Sequence, residues 1–138
     1  MKSLATLIKL QKTRVDDQRL ALAKLQARLE EMENAITSLE IAKAREQLIA
    51  QEHAEARATY GAFLNAAVRQ GRDLEKQRLA AARAVDEARQ RLAELFEEQK
   101  RYEIADAARL EAEQREEHRR ETLELDEIGS VSHVRKNS

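Results

Sequence analysis

Apolar residues recur in a seven-residue pattern over the first third of the chain. With Ile8 at heptad position a, the a positions hold Ile8, Val15, Leu22, Leu29 and Ile36, and the d positions hold Leu4, Gln11, Gln18, Leu25, Met32 and Leu39. Nine of these eleven residues are apolar. A spacing of 3.5 residues puts them on one narrow stripe of a helix, and such a stripe must bury against another helix. The pattern therefore predicts one strand of a coiled coil.

The pattern weakens after Leu39. Lys43 and Glu46 occupy the next a and d positions. The apolar residues that follow, Ile41, Leu48 and Ile49, lie off the stripe. We expect the helix to continue because its residues favour helix, but with a seam that rotates or loosens.

A second, weaker heptad stripe follows. Its a positions are Leu64, Gly71, Arg78, Val85, Leu92 and Gln99, and its d positions are Ala67, Leu74, Ala81, Ala88, Leu95 and Tyr102. Its small residues suit close packing against the large leucines of the first stripe. Two such helices in one chain predict an all-α fold, a long antiparallel two-helix coiled-coil hairpin over residues 1–128.

A register that places Leu25 opposite Leu92 brings Gln18 opposite Gln99, where two amides can satisfy each other's hydrogen bonds. This register predicts a first helix over residues 3–56, a turn at 56–61 and a second helix over 61–125. A turn at 65–71 is an alternative, and so is one unbroken helix that pairs with a second chain. The Ser-rich segment 129–138 lacks a stripe and is expected to be a disordered tail.

Charge is distributed unevenly between the two ends of the chain. Residues 1–15 carry a net charge of +4, and residues 111–128 carry −5. The predicted register brings these segments side by side, and opposite charges beside a seam favour that orientation.

The composition excludes several classes of function. Charged residues make up 37% of the chain and aromatic residues 3%, which indicates long helices around a thin core rather than a globule with a cavity. The net charge of −1 argues against nucleic-acid binding. There is no cysteine, no apolar run long enough to span a membrane, and no signal-peptide pattern over residues 1–10. We expect a cytoplasmic protein.

No arrangement of residues indicates catalysis, a metal site or a cofactor site. The three histidines, His53, His118 and His133, lie far apart and lack metal-ligand spacing. His118 lies among glutamates, which could bind a divalent cation weakly, but the favoured interpretation is that these residues form a solvent-exposed helix face. We expect a protein that is not an enzyme.

Two segments are candidate docking surfaces. Tyr60, Phe63 and Leu64 form an apolar strip with helical spacing near the predicted turn. They either close the end of the hairpin core or anchor a partner, since aromatic residues are good interface anchors. The acidic segment 123–128 carries three apolar residues that do not extend the second stripe, so it is either a fraying helix end or a docking segment.

The order of these features resembles the FliJ family, a soluble component of the flagellar type III export apparatus. The resemblance covers nearly the whole chain. It rests on the apolar start at 4–10, the first heptad helix, the Tyr-Gly-Ala-Phe-Leu run at 60–64, the second heptad helix and the Leu-Asp-Glu-Ile run at 125–128. Beyond Leu64 the chain has the small residues Ala66 and Ala67. The resemblance of the aromatic segment therefore ends at Leu64.

The resemblance implies a monomeric stalk, similar to the stalk of rotary ATPases, that acts at the inner membrane only through its partners. Those partners are a hexameric FliI-like export ATPase, an FlhA-like export gate and export chaperones. By motif, the gate contact is Tyr60, Phe63 and Leu64. The ATPase contact comprises Leu4, Ile8, Lys9, Lys12, Leu123, Leu125, Asp126, Glu127 and Ile128. A stalk protein of a virulence-type secretion system, or a plain coiled-coil scaffold, would share most of these features.

Overall fold

Two α-helices make up the part of the chain that the computed structural model describes, residues 3–137. Helix α1 spans Leu4–Glu52 and helix α2 spans Ala54–Asn137, with His53 between them. Both sequences consist largely of Ala, Leu, Glu, Gln, Arg and Lys, which lose little side-chain freedom in a helix, and the chain has no proline to interrupt them. The all-α prediction is confirmed.

Both predicted stripes form the contact between the helices. All eleven positions of the first stripe and all twelve of the second are buried or half-buried. The deepest apolar side chains are Val15, Ala67, Val85 and Leu95, with exposures of 3%, 3%, 2% and 3%. Because the apolar residues repeat every 3.5 positions, burying any one of them on this side buries the rest.

The seam of α1 does not rotate after Leu39, so the first of the two predicted alternatives, rotation, was wrong. Lys43 and Glu46 are half-buried at their heptad positions, and Ala50 is buried one step further on. Ile41 and Leu48 remain exposed on another face. Lysine and glutamate can cover a seam with their methylene stems while the charged groups reach water, so polar residues can hold these positions without a change of phase.

The two helices run antiparallel, with contacts that join early residues of α1 to late residues of α2. Gln11 Nε2 donates a hydrogen bond to Glu98 Oε2 at 3.1 Å. Further along, a Cβ atom built at Gly71 would lie 3.5 Å from Leu39 Cδ2. The predicted register put Arg78 opposite Leu39, so the pairing is displaced from it by one heptad.

This displacement corrects the predicted core pairs. Leu25 and Leu92 are both half-buried in the seam, as expected, but they do not lie opposite each other. Gln18 does not meet Gln99, since its Nε2 donates to the backbone carbonyl of Ala88 at 3.1 Å. A shift of one heptad leaves a positions facing d positions, so the hydrophobic pattern alone does not distinguish the two registers.

The chain reverses at His53, ahead of the predicted turn, and residues 56–61 lie within α2. His53 N donates to Ile49 O at 3.0 Å, and Arg57 N donates to His53 O at 3.2 Å, so helical hydrogen bonding stops and restarts around one residue. Among the described residues none has a positive φ angle. The reversal therefore needs neither glycine nor proline, which explains the absence of a turn signal.

Helix α2 continues where a disordered tail was expected. Residues 129–137 extend α2 to Asn137, so the structure does not show the predicted disorder in the part of 129–138 that it describes. The chain divides into two compact units. One contains the described residues of Met1–Thr13 and Phe96–Ser138, and the other contains Arg14–Leu95.

Candidate functional site

The aromatic candidate site lies on the second to third turns of α2, within the unit Arg14–Leu95. The rings of Tyr60 and Phe63 stack with centroids 6.5 Å apart and an interplanar angle of 26°. Both are half-buried, as is Leu64, which begins the second stripe. Residues three apart on a helix lie on one face, so the sequence predicted this pair correctly. Its side chains are partly in the seam and partly open to solvent.

A further exposed apolar surface lies on α1. Ile41 and Leu48 are seven residues apart and therefore lie on one face of the helix, with exposures of 49% and 60%, and Ile49 beside them is 43% exposed. The sequence pattern suggested a change of seam at these residues. The signal that identifies them as surface is that the heptad phase set by Leu4–Leu39 carries on unchanged through Ala50.

The second candidate site comprises both ends of the chain, in the other unit. Leu4 and Ile8 are half-buried in the seam, while Lys9 and Lys12 are exposed. The remaining predicted residues, Leu123, Leu125, Asp126, Glu127 and Ile128, are all exposed. The two halves of the site thus differ, since one is built into the helix pair and the other is a single exposed helix.

The basic start and the acidic end are not neighbours, so the predicted pairing of residues 1–15 with 111–128 was wrong. Gln11 meets Glu98, and α1 begins at Leu4. The unbroken run of buried or half-buried seam positions on α2 ends at Asp106, and the next two, Arg109 and Glu113, are exposed. Helix α2 is simply longer than α1, and the shifted register leaves its C-terminal part beyond the first residue of α1.

We refer to residues 107–137 as the α2 extension. Within it, Glu116 is the only half-buried residue of 107–136. At 1.5 Å per residue the extension is about 45 Å long. A helix without a packed face relies on its own side-chain pairs for support.

Ion pairs within the helix provide that support. Arg109 lies 3.0 Å from Asp106 and 2.8 Å from Glu113. Arg119 donates from Nε and a terminal nitrogen to the two oxygens of Glu116, at 2.9 and 2.7 Å. The hydrogen bonds from Arg119 lower the pKa of Glu116 below its ordinary value.

Among the described residues no cluster of three or more His, Cys, Asp or Glu side chains is arranged to hold a metal ion. Within the same residues, neither helix has a stretch that is long and apolar enough to cross a membrane.

Comparison with known proteins identifies one family. The model of that family, described as the flagellar FliJ protein, matches residues 1–138, the whole chain. No curated protein and no solved structure matches the chain.

Proposed function

The chain belongs to the FliJ family, which makes it a protein associated with flagellar type III export, and from this membership we propose that it is a non-enzymatic stalk of the export apparatus. In this role it links the ring of the export ATPase to the export gate and assists the delivery of chaperone–substrate complexes. It acts in the cytoplasm as an intramolecular hairpin and reaches the inner membrane only through its partners.

The observation that carries this proposal is that the helix pair leaves two distinct surfaces for partners. One is the stacked pair Tyr60 and Phe63 with Leu64 beside it, on the early turns of α2. The other is the α2 extension, which has apolar and acidic residues exposed along one helix. A coupling protein needs separate contacts of this kind, whereas a plain scaffold needs only the seam.

We assign the aromatic surface to the export gate. Burying one large apolar side chain contributes about 1.5–3 kcal/mol, so Phe63→Ala should weaken gate binding at least tenfold. Phe96→Ala is the matched control, because Phe96 is the other phenylalanine of α2, lies outside the surface and is 39% exposed. Gate binding and helicity are measured on both variants. Equal loss of gate binding in both, or loss of helicity in Phe63→Ala alone, would show that Phe63 is not a gate contact.

We assign to the export ATPase a contact made by both ends of the chain. It comprises Leu4, Ile8, Lys9 and Lys12, together with Leu123, Leu125, Asp126, Glu127 and Ile128 of the α2 extension. Leu125→Ala and Ile128→Ala should weaken binding to the hexameric ring, because both side chains are exposed and apolar. Leu79→Ala, at an exposed leucine of α2 outside the extension, is the control.

Co-purification with the hexameric ATPase is the test of the whole proposal. Retention of the chain on the ring, reduced in Leu125→Ala but not in Leu79→Ala, is the expected result. A chain that never co-purifies with the ring would support the scaffold alternative. A chain that binds only the ATPase of a virulence-type system would support that second alternative.

A further inference from the structure

The end of the α2 extension carries an apolar stripe that α1 does not cover. Leu125, Ile128, Val131 and Val134 follow one another at intervals of three residues, with exposures of 68%, 66%, 49% and 64%. Neighbouring members of this series lie about 60° apart around the helix, so the series winds round it, and Ile128 and Val131 form its central exposed pair on one face. An exposed apolar pair flanked by charged residues is a candidate interaction surface.

The charges beside this stripe change sign along the helix. Four acidic residues lie between Glu121 and Glu127, and Arg135 and Lys136 follow the stripe. If a second copy packed parallel, the acidic residues of the two chains would lie beside each other, and so would the basic residues, which is unfavourable. A second copy laid antiparallel would place the acidic block of each chain beside the basic end of the other, which is the favourable arrangement.

We infer that the α2 extensions of two chains pair antiparallel, about a two-fold axis that passes between Gly129 and Ser130. At 100° per residue, Glu124, Ile128, Val131 and Arg135 share one face of the helix. The two-fold axis then sets Ile128 of each chain against Val131 of the other. It also sets Glu124 of each chain against Arg135 of the other.

The shape of the helix surface fits this pairing. A shallow groove on α2 is lined by Glu127, Ile128, Val131, Ser132 and Arg135. The groove lies on the face that the two-fold axis turns toward the second copy, and the small Ser132 side chain leaves room for a close approach. An interface between identical chains of this kind is isologous, so every favourable contact occurs twice.

The resulting dimer is weak and depends on concentration, because only the end of one helix from each chain contributes. It forms between complete hairpins and does not alter the seam. This self-association goes beyond the proposed export function. It uses Ile128, which is also assigned to the ATPase, so a chain that binds the ring through Ile128 is not paired. The test of the dimer needs no export partner.

The first test is sedimentation velocity of the full chain over a wide concentration series. We expect the wild type to shift from monomer to dimer. Arg135→Glu and Glu124→Arg should each weaken the dimer about tenfold, since the axis repeats each pair. The double variant should recover the wild-type affinity.

Arg115→Glu provides the matched control. Arg115 lies in the same extension but on the opposite side of the helix from the Ile128–Val131 face, so the same change of charge should leave the dimer unaltered. Circular dichroism on each variant checks that α2 stays helical.

The second test determines the direction of pairing. The chain has no cysteine, so Ile128→Cys and Val131→Cys chains can be mixed and oxidised. Antiparallel pairing yields mainly the mixed crosslink between the two variants, and parallel pairing yields crosslinks within each variant.

The inference fails if the wild type stays monomeric at every concentration, if the double charge variant does not recover the dimer, or if like variants crosslink preferentially. ATPase binding by Arg135→Glu is measured separately, so a failure of this inference is distinguishable from a failure of the proposed function.

Discussion

Leu39 and Gly71 approach each other across the seam so closely that a Cβ atom added to Gly71 would lie 3.5 Å from Leu39 Cδ2. That distance is ordinary van der Waals contact, so an alanine fits. Glycine within a helix costs roughly 0.5–1 kcal/mol relative to alanine. We therefore expect Gly71→Ala to raise the free energy of unfolding by about that amount, measured by urea denaturation.

Gly61→Ala is the control for this change. It removes another glycine from α2, but an added Cβ there has no heavy atom within 4 Å. In both variants the higher helix propensity of alanine should raise the free energy of unfolding. A loss of stability in Gly71→Ala beside a gain in Gly61→Ala would mean that Leu39 cannot accommodate the methyl group.

The displaced register can be tested by crosslinking in a chain that has no cysteine of its own. A double variant with Leu39→Cys and Gly71→Cys should crosslink within one chain when treated with a short bifunctional thiol reagent. The matched double variant with Leu39→Cys and Arg78→Cys should not, because Arg78 lies one heptad further along α2. Efficient crosslinking of the second pair alone would restore the originally predicted register.

Burial predicts how the same substitution acts at two positions of α2. Leu95 is 3% exposed, and Leu125 is 68% exposed. Leu95→Ala should lower the free energy of unfolding by about 2–5 kcal/mol, which is the range for leucines in well-packed cores. Leu125→Ala should change it by less than about 0.5 kcal/mol. Similar losses at both positions, measured by thermal unfolding, would contradict the burial difference.

Acid should weaken the α2 extension through Glu116. Its pKa lies below the ordinary 4.5 because Arg119 donates hydrogen bonds to the charged carboxylate. A carboxyl whose folded pKa is lowered adds stability above its unfolded pKa, and that stability is lost as pH falls through the folded value. The effect is therefore complete above about pH 4.5 and disappears in more acidic solution.

The measurement is a carboxyl-carbon NMR titration of Glu116, whose midpoint should lie below 4.5 in the wild type. Arg119→Gln should move the midpoint upward, because the side chain that supplies the hydrogen bonds is gone. A midpoint that is equal in the two proteins would rule out the Glu116–Arg119 pair in solution.

The sequence predicted the buried stripe of α1 as far as Leu39 and the buried stripe of α2 from Leu64 to Tyr102, and the reason is physical. A heptad stripe such as the one from Leu4 to Leu39 specifies which side of its helix is buried, wherever its partner lies. The stacked pair Tyr60 and Phe63 was predictable for the same reason, since spacing along a helix determines which residues share a face.

The register and the position of the turn were not predictable in this way. If one helix slides by seven residues, a positions still face d positions across the seam. The heptad pattern is therefore the same for both registers, and only individual contacts such as Leu39 with Gly71 distinguish them. The reversal at His53 uses no glycine or proline, and so it carries no local signal. Charge attraction between residues 1–15 and 111–128 suggested a pairing that was wrong, because exposed ion pairs contribute too little to determine a register.

The length of α2 beyond α1 has a consequence for the timescale on which its backbone exchanges hydrogen with water. Amides near Val85 can exchange only when the helix pair opens, whereas amides of residues 107–137 need only a local helix-to-coil fluctuation. In α2, one helix of 84 residues, protection should therefore fall steeply after Asp106. A partner that binds the extension would slow amide exchange in residues 107–137 and leave exchange in the seam unchanged. The exchange rate of these amides therefore reports whether a partner is bound.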